Sequence, residues 1–568
     1  MRCKMKKRFI YAFAISVLSS CSFLDLEPTI ISKETFYKNE AEALYGLAGV
    51  YGAMSNEAFY GNYYSLMISN TDDLSYFNRP VQASTALQQY HFDAGNEYIR
   101  KAWTRIYRGI GNANAFMAAV SSTDFDPSGA LYAEARFLRA YYHFILAEAW
   151  GDVPVRDKEV TDHSGIMAAA KPQAEVLSWC ANEMEACLGK LSEDTAVLPS
   201  RINRAVAEGV LARVYLFMAG DSVKGTDKSD CFTKARDHAA AVIGKKTYKL
   251  NPDYSQVFIN MIMDDYDKDN LESMWEVEFL GDRSNASLWS NGRIGDLLGL
   301  QSTGSTDYTS FKCNYSYGMY DGSLKLWDLY WIEDRTEDER AQGIISDRRQ
   351  QWNLPPYNYA GNNNYPPYGV SGSGSSRASI DKTPYAYNNV STTMDPTAAQ
   401  AIRNCGKFRR EVQYEGVKSS KLLYTTINYP LLRYSDVLLM YAEAANEIEG
   451  GPSDLAYDCV KQVRDRAGIK TIDKAEYNQE SFRSLVRNER GRELCFESLR
   501  KYDLIRWGIF VKSMQEYGQW TADARWSKND KAKYAGALSS AVQQRHICLP
   551  IPLEELGVNT LLQQNPLW

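Results

Sequence analysis

Residues 429–448 read YPLLRYSDVLLMYAEAANEI, and residues 484–507 read SLVRNERGRELCFESLRKYDLIRW. In the first stretch Tyr434, Val437, Leu438, Tyr441, Ala442, Ala445 and Ile448 fall on one helical stripe, the pattern of an amphipathic helix with a face to bury. The second stretch is crowded with charge. Glu489, Glu493 and Glu497 stand at successive i+4 positions, flanked by Arg490, Arg492 and Arg500. A pair of carboxylates roughly 5–9.5 Å apart could serve glycoside hydrolysis. A general acid needs a raised pKa, and an Arg three or four residues away does the opposite, keeping the carboxylate ionised and paired. The cluster therefore reads as an ion network that braces helices.

Similar helices recur outward from this stretch. Ala135, Ala140 and Ala147 in EARFLRAYYHFILAEAW share the spacing A-x4-A-x6-A with Ala207, Ala212 and Ala219 in AEGVLARVYLFMAG. Each segment is followed by a second amphipathic helix, at 173–191 and 232–243. Paired helices with small residues at close contacts are the tetratricopeptide style of repeat. The Tyr434 helix with its partner at 455–467, and the Phe482 helix with its successor, complete four pairs. Upstream, a helical pattern at 35–54 gives way to a loop-rich excursion at 59–100, and Trp103, Ile106, Tyr107, Ile110 and Ala113 restart a helix. The predicted fold is mainly α: a four-unit tetratricopeptide-like scaffold with a large loop-rich insert containing short strands.

The insert spans 251–425. MWEVEF at Met274 alternates with period 2 and predicts a strand. The segments around it are rich in Gly, Ser, Asn, Tyr and Trp, and a loop this long within a globular chain is usually functional or disordered. Its aromatics favour function, because disordered linkers are poor in them. KLWDLYW is a helical interlude whose Trp327 and Trp331 read as core. Asp265 to Glu276 (DYDKDNLESMWE) approaches the EF-hand template, with Asn270 in place of Gly. Glu272 stands where such loops carry an apolar residue, and the exit is a strand, so a solvated acidic turn is the better reading.

Composition narrows the classes. The 568 residues carry 64 Lys and Arg against 70 Asp and Glu, a net charge of −6. That balance argues against nucleic acid, which calls for a basic surface. Five His offer no metal-ligand spacing, GxSxG and GxxxxGK[ST] are missing, and the sequence predicts no catalytic residue, metal or cofactor. At the N-terminus, Lys4, Lys6, Lys7 and Arg8 precede the apolar run FIYAFAISVL, a signal peptide over residues 1–20 that is too short to span a bilayer. LSSC at 18–21 resembles a lipoprotein cleavage box, which marks Cys21 as the lipidated residue and the membrane tether. Of the 10 cysteines, eight lie beyond Cys21 with no CxxC pair. Cys180 and Cys187 are roughly 10 Å apart along a helix, too far for a disulfide, and read as small buried residues.

Recognition is the function that remains. A sugar offers an apolar C–H face and a rim of hydroxyls, so it is bound by aromatic platforms beside Asn, Asp, Arg or Gln. The excess of 39 Tyr over 20 Phe suits wetted aromatic surfaces of that kind as well as core, since a phenol joins an apolar ring to a polar tip, and a merely Tyr-rich core is the alternative. Tyr76, Asn78 and Arg79 in the first loop region, and Trp289, Tyr308, Tyr317 and Trp352 in the insert, are the candidate ligand-binding residues.

The whole mature chain resembles the SusD-like (RagB/SusD) family of outer-membrane nutrient-binding lipoproteins. The resemblance is carried by Cys21 followed by FLDLEP, WTRIYRGIGNAN at Trp103, EARFLRAYYHFILAEAWGDVPV at Glu134, LLRYSDVLLMYAEAANE at Leu431, RNERGRELCFESLRKYDLIRWG at Arg487, and the closing IPLEELGVN and QQNP. It implies an N-terminal helical part at 21–250, the variable insert at 251–425 and a C-terminal helical part at 426–568. It also implies display at the cell surface, an oligosaccharide ligand and a TonB-dependent SusC-like transporter as partner, without catalysis. An oligopeptide receptor on the same scaffold, an adhesion scaffold and a glycoside hydrolase are the alternatives. Ligand residues vary within the family, so the seven candidates above rest on chemistry and position.

Overall fold

The computed structural model describes residues 37–568 apart from 63, 66–70, 72–74, 78–85, 122, 161–166, 195–197, 282–289, 291, 300–315, 317, 332–346, 355–369, 372–378, 381–402, 411–423, 470–472 and 522–535. Helices α1 (Glu40–Tyr51), α2 (Glu97–Val120), α3 (Ala130–Trp150), α4 (Gln173–Glu185), α5 (Arg204–Met218) and α6 (Lys228–Gly244) follow one another in the first half, with a short strand β1 (Ser75–Phe77) between α1 and α2. Four of the helices open on a side chain that accepts an otherwise orphaned backbone N–H: Asn39, Asn96, Asn203 and Asp227. Helix α3 packs on α2 and α4, and α5 on α4 and α6.

The insert leaves and returns through one sheet. After α7 (Tyr254–Met263), strand β2 (Ser273–Val277) pairs antiparallel with a strand of five residues at Tyr429–Arg433, from Ser273 opposite Arg433 to Val277 opposite Tyr429. The YPLLR of the opening stretch is thus a strand, and its helix begins at Tyr434. Between them lie β3 (Tyr320–Gly322), α8 (Leu324–Trp331), α9 (Arg348–Asn353) and β4 (Arg403–Asn404); Tyr429–Arg433 is β5. Strand β3 joins β4 and also β1 of the earlier loop region, in the order β1-β3-β4.

Helix α10 (Tyr434–Glu449) closes the frame by packing on α5, α6, α11 (Asp454–Ala467) and α12 (Gln479–Leu494). The helical series therefore continues from α6 to α10 across the insert, as a mainly α, tetratricopeptide-like scaffold. Glycines Gly450 and Gly468, at φ 72° and 76°, end α10 and α11 where a side chain would be strained. The predicted single stripe on α10 understates its burial: every residue from Tyr434 to Asn446 is buried. A helix enclosed on all sides must pair its charges, and Asp436 accepts from Arg213 and Arg490 while Glu443 accepts from Arg506 and Trp507.

Helix α13 (Arg500–Arg506) follows α12 and packs on α5, with α14 (Phe510–Thr521) next to it. The contact is backbone on backbone. Asp221 N–H donates to the Arg506 carbonyl at 2.6 Å, and a Cβ on Gly220 would stand 2.6 Å from that same oxygen. The seven cysteines among the described residues, Cys180 and Cys187 included, are free. No helix among the described residues is long and apolar enough to cross a membrane.

Candidate ligand-binding face

Charges buried under the insert fix where its elements sit. Arg433, at the end of β5, reaches Glu272 at 2.8 Å, Glu493 at 2.9 Å and Glu497 at 2.7 Å. Arg466 of α11 binds Glu272 at 2.9 Å and Glu493 at 2.6 Å. From the insert, Arg349 of α9 binds Asp347 at 2.8 Å and Glu489 at 2.5 Å, and Lys407 binds Glu497 at 2.6 Å and the carbonyls of Glu493 and Cys495. All of these side chains are buried.

The cluster is a brace, and its wiring differs from the predicted local pairing. Glu489 does accept from Arg492 at i+3 (3.0 Å), but Glu493 and Glu497 are held by residues distant in sequence. The expected run of three glutamates on one helix is also corrected. Helix α12 ends at Leu494, Cys495 is extended, and Phe496 and Ser498 sit at φ 65° and 60°. Those left-handed non-glycine residues are strained, and they turn Glu497 to Arg433 and Lys407. Burial raises the Glu489 carboxyl, but Arg349, Arg492 and Arg464 overcome that and hold it down at about 2. Burial acts likewise on Glu493, against which Arg466, Arg433 and Arg349 hold it well below the usual carboxylate range. Both stay ionised, the wrong state for a general acid.

On this brace the two aromatic loop regions meet in one sheet. Tyr76 of β1 stands opposite Asp321 of β3, with Ser75 opposite Gly322 and Phe77 opposite Tyr320, and Asp321 in turn pairs with Asn404 of β4. A backbone bridge from Asn56, just ahead of the first loop region, to Ser290 adds a tie to the insert, and a second from Gly292 to Thr425 joins the insert's earlier part to its return. Tyr76 is thereby brought onto the insert. Asn78, Arg79, Trp289, Tyr308 and Tyr317 lie outside the described residues, as does Cys21.

Trp352 is a correction. The sequence predicts a wetted platform there, but the ring is fully buried, with the Arg409 guanidinium 4.0 Å from the ring centroid and Arg409 Nη2 donating to the Trp352 carbonyl. Stacking an arginine on an indole inside the core is favourable, and it removes that ring face from any ligand. Trp327 is buried as expected. Three acids of the 265–276 turn have separate partners, and two of them, Glu272 and Glu276, are buried rather than solvated as expected: Asp267 accepts from Asn251 and Asn270, Glu276 from Asn428, and Glu272 joins the brace. Arg349, Lys407 and Asp347 are invisible as brace residues in the sequence, since their partners are over 80 positions away in the chain or lie in a loop of no recognisable period.

Comparison with known proteins agrees with this architecture. The SusD family profile matches residues 271–568, and a second, described as starch-binding associating with outer membrane, matches residues 22–216. SusD-like protein P2 of Formosa agariphila is 25% identical over 526 residues, covering 88% of this chain and 91% of that one. The crystal structure of a SusD homolog from Bacteroides thetaiotaomicron superposes with a TM-score of 0.76 at 24% identity, over 94% of this chain and 98% of that one. A laminarin-binding SusD-like protein superposes at 0.64 with 19% identity, over 94% and 100% of the two chains. With more than half of its length matched by the family profile, and the matching helical frame, the chain belongs to the SusD family.

Proposed function

We propose that the protein is a lipid-anchored receptor at the outer-membrane surface that captures oligosaccharides and passes them to a TonB-dependent SusC-like transporter, without transforming them. The observation that carries this reading is the union of the two aromatic-rich loop regions in the β1-β3-β4 sheet, on a frame whose buried ion cluster is closed by residues of the insert. Aromatic faces beside Asn and Arg suit the C–H face and hydroxyl rim of a sugar. The starch-binding description of the profile over residues 22–216 and the laminarin ligand named for a similar structure favour a glycan. Family membership and the lipoprotein box support the transporter, the lipid at Cys21 and surface display as parts of this reading. The absence of catalysis is supported by Glu489 and Glu493, the acids best placed in sequence for hydrolysis, being ionised and locked by arginines.

Calorimetric titration of the purified protein against host and plant glycans, with oligopeptides in parallel and chromatography of the glycans afterwards, tests the reading. Binding to one or more glycans with no new products is expected. Binding to peptides alone would establish the oligopeptide receptor instead, and released sugars would establish the hydrolase.

A further inference from the structure

One carboxyl in the helical frame has been left without an ion partner. Glu148 of α3 is 7% exposed and borders a cavity of about 50 Å³ between α3, α5, β5 and α13. Among the described residues it has no hydrogen-bond or ion-pair partner. The other charges around the cavity are engaged elsewhere. Arg490 of α12 binds Asp436 at 2.7 Å and Asp503 at 2.8 Å, Arg506 binds Asp503 at 2.9 Å and also Glu443, and Glu497 is held by Arg433 and Lys407. Arg213 of α5 gives Nη2 to Asp436 at 2.6 Å, which leaves its Nε–H buried and unpartnered. The remaining polar groups include phenols already engaged. Tyr60 pairs with Tyr141 at 2.6 Å and Tyr64 with Tyr502 at 3.4 Å, and Tyr429 donates to the Glu497 carbonyl at 3.3 Å.

An unpaired carboxylate at this depth is costly, and protonation or hydration relieves the cost. The site permits both. Burial pushes the Glu148 carboxyl up to about 8; Arg213 and Arg506 pull it down and Asp503 pushes it further up. At roughly 15 Å³ of accessible volume per water, the cavity holds about three. We propose that this cavity is a water site in which water hydrogen-bonds to protonated Glu148, and that deprotonation in alkaline medium weakens the frame.

The sign follows from linkage. Because the folded pKa lies above the unfolded value of 4.5, the folded state binds the extra proton. The stability from this group is complete below about pH 4.5 and is lost as pH rises through about 8. Glu148→Gln keeps the shape and removes the titration. Its thermal midpoint is expected to match that of the native protein at pH 5 and to exceed it by about 2–4 °C at pH 8.5. Parallel pH profiles for the two proteins would overturn the proposal. A crystal structure of the native protein supplies a test that needs no variant. It is expected to show water in the cavity within hydrogen-bonding distance of Glu148, whereas a dry cavity, or Glu148 bonded directly to Arg213, would overturn it.

Discussion

At Arg433 one guanidinium satisfies three carboxylates, Glu272, Glu493 and Glu497, with water excluded from all of them. Removing one partner from a buried ion cluster leaves uncompensated charge, and that costs more than the pair itself contributes. Arg433→Met is expected to lower the unfolding free energy by about 3–5 kcal/mol, read from denaturant midpoints; a loss no larger than that of an exposed arginine would mean the brace does not hold the insert. The acid side is tested by pH. Burial raises Asp436, Glu443 and Glu489, but their arginines overcome it and hold each at about 2, below the unfolded values of 3.8 and 4.5. Folded pKa values below the unfolded ones give stability that is present above about pH 4.5 and disappears as pH falls toward 2. Unfolding midpoints measured from pH 6 to pH 2 should fall most steeply over that interval, and should fall less steeply in Glu489→Gln. Trp352 separates packing from recognition. Trp352→Ala should cost about 3–5 kcal/mol, as for other buried tryptophans, and the surviving folded protein should keep its glycan affinity.

Helices are legible from sequence where apolar spacing and cap chemistry agree. The Asn, Asp and Ser caps and the terminal glycines of α10 and α11 set their limits, and the alanine spacing in α3 and α5 marks two members of the repeat. Strand β5 escapes such a reading because YPLLR is a short apolar run next to a strong helix, and its partner β2 lies more than 150 residues earlier. Glu497 departs from its expected place for a related reason. Helical spacing continues in the sequence past Leu494, while the chain turns through left-handed Phe496 and Ser498 to meet Lys407 and Arg433. Of the candidate site, the pairing of the two loop regions is not legible at all, since a three-residue strand such as β1 has no periodic signal. Close packing between elements is testable at Gly220. A Cβ there meets the carbonyl oxygen, Cβ and Cα of Arg506 at 2.6, 2.7 and 2.9 Å, atoms at the backbone that cannot swing aside. Gly220→Ala should therefore destabilise by about 1–3 kcal/mol, seen as a lower thermal midpoint, and an unchanged midpoint would mean α5 and α13 are free to slide.

For the whole molecule, the stem formed by β2 and β5 lets a long, irregular segment leave the helical series and return without breaking it, because α10 packs on α6 across the gap. The frame's buried charges are taken up by its own partners and by the base of the insert, and the aromatic and amide residues of the loops are those proposed for recognition. That division of labour separates variants by location. The most direct test is titration of the best-binding glycan from the panel into the native protein, Trp289→Ala, Tyr308→Ala and the double variant, each checked for native circular dichroism and thermal midpoint. The loop variants should weaken binding at least about tenfold, or about 1.4 kcal/mol, while their midpoints stay at the native value. Native affinity in the double variant would contradict that division of labour.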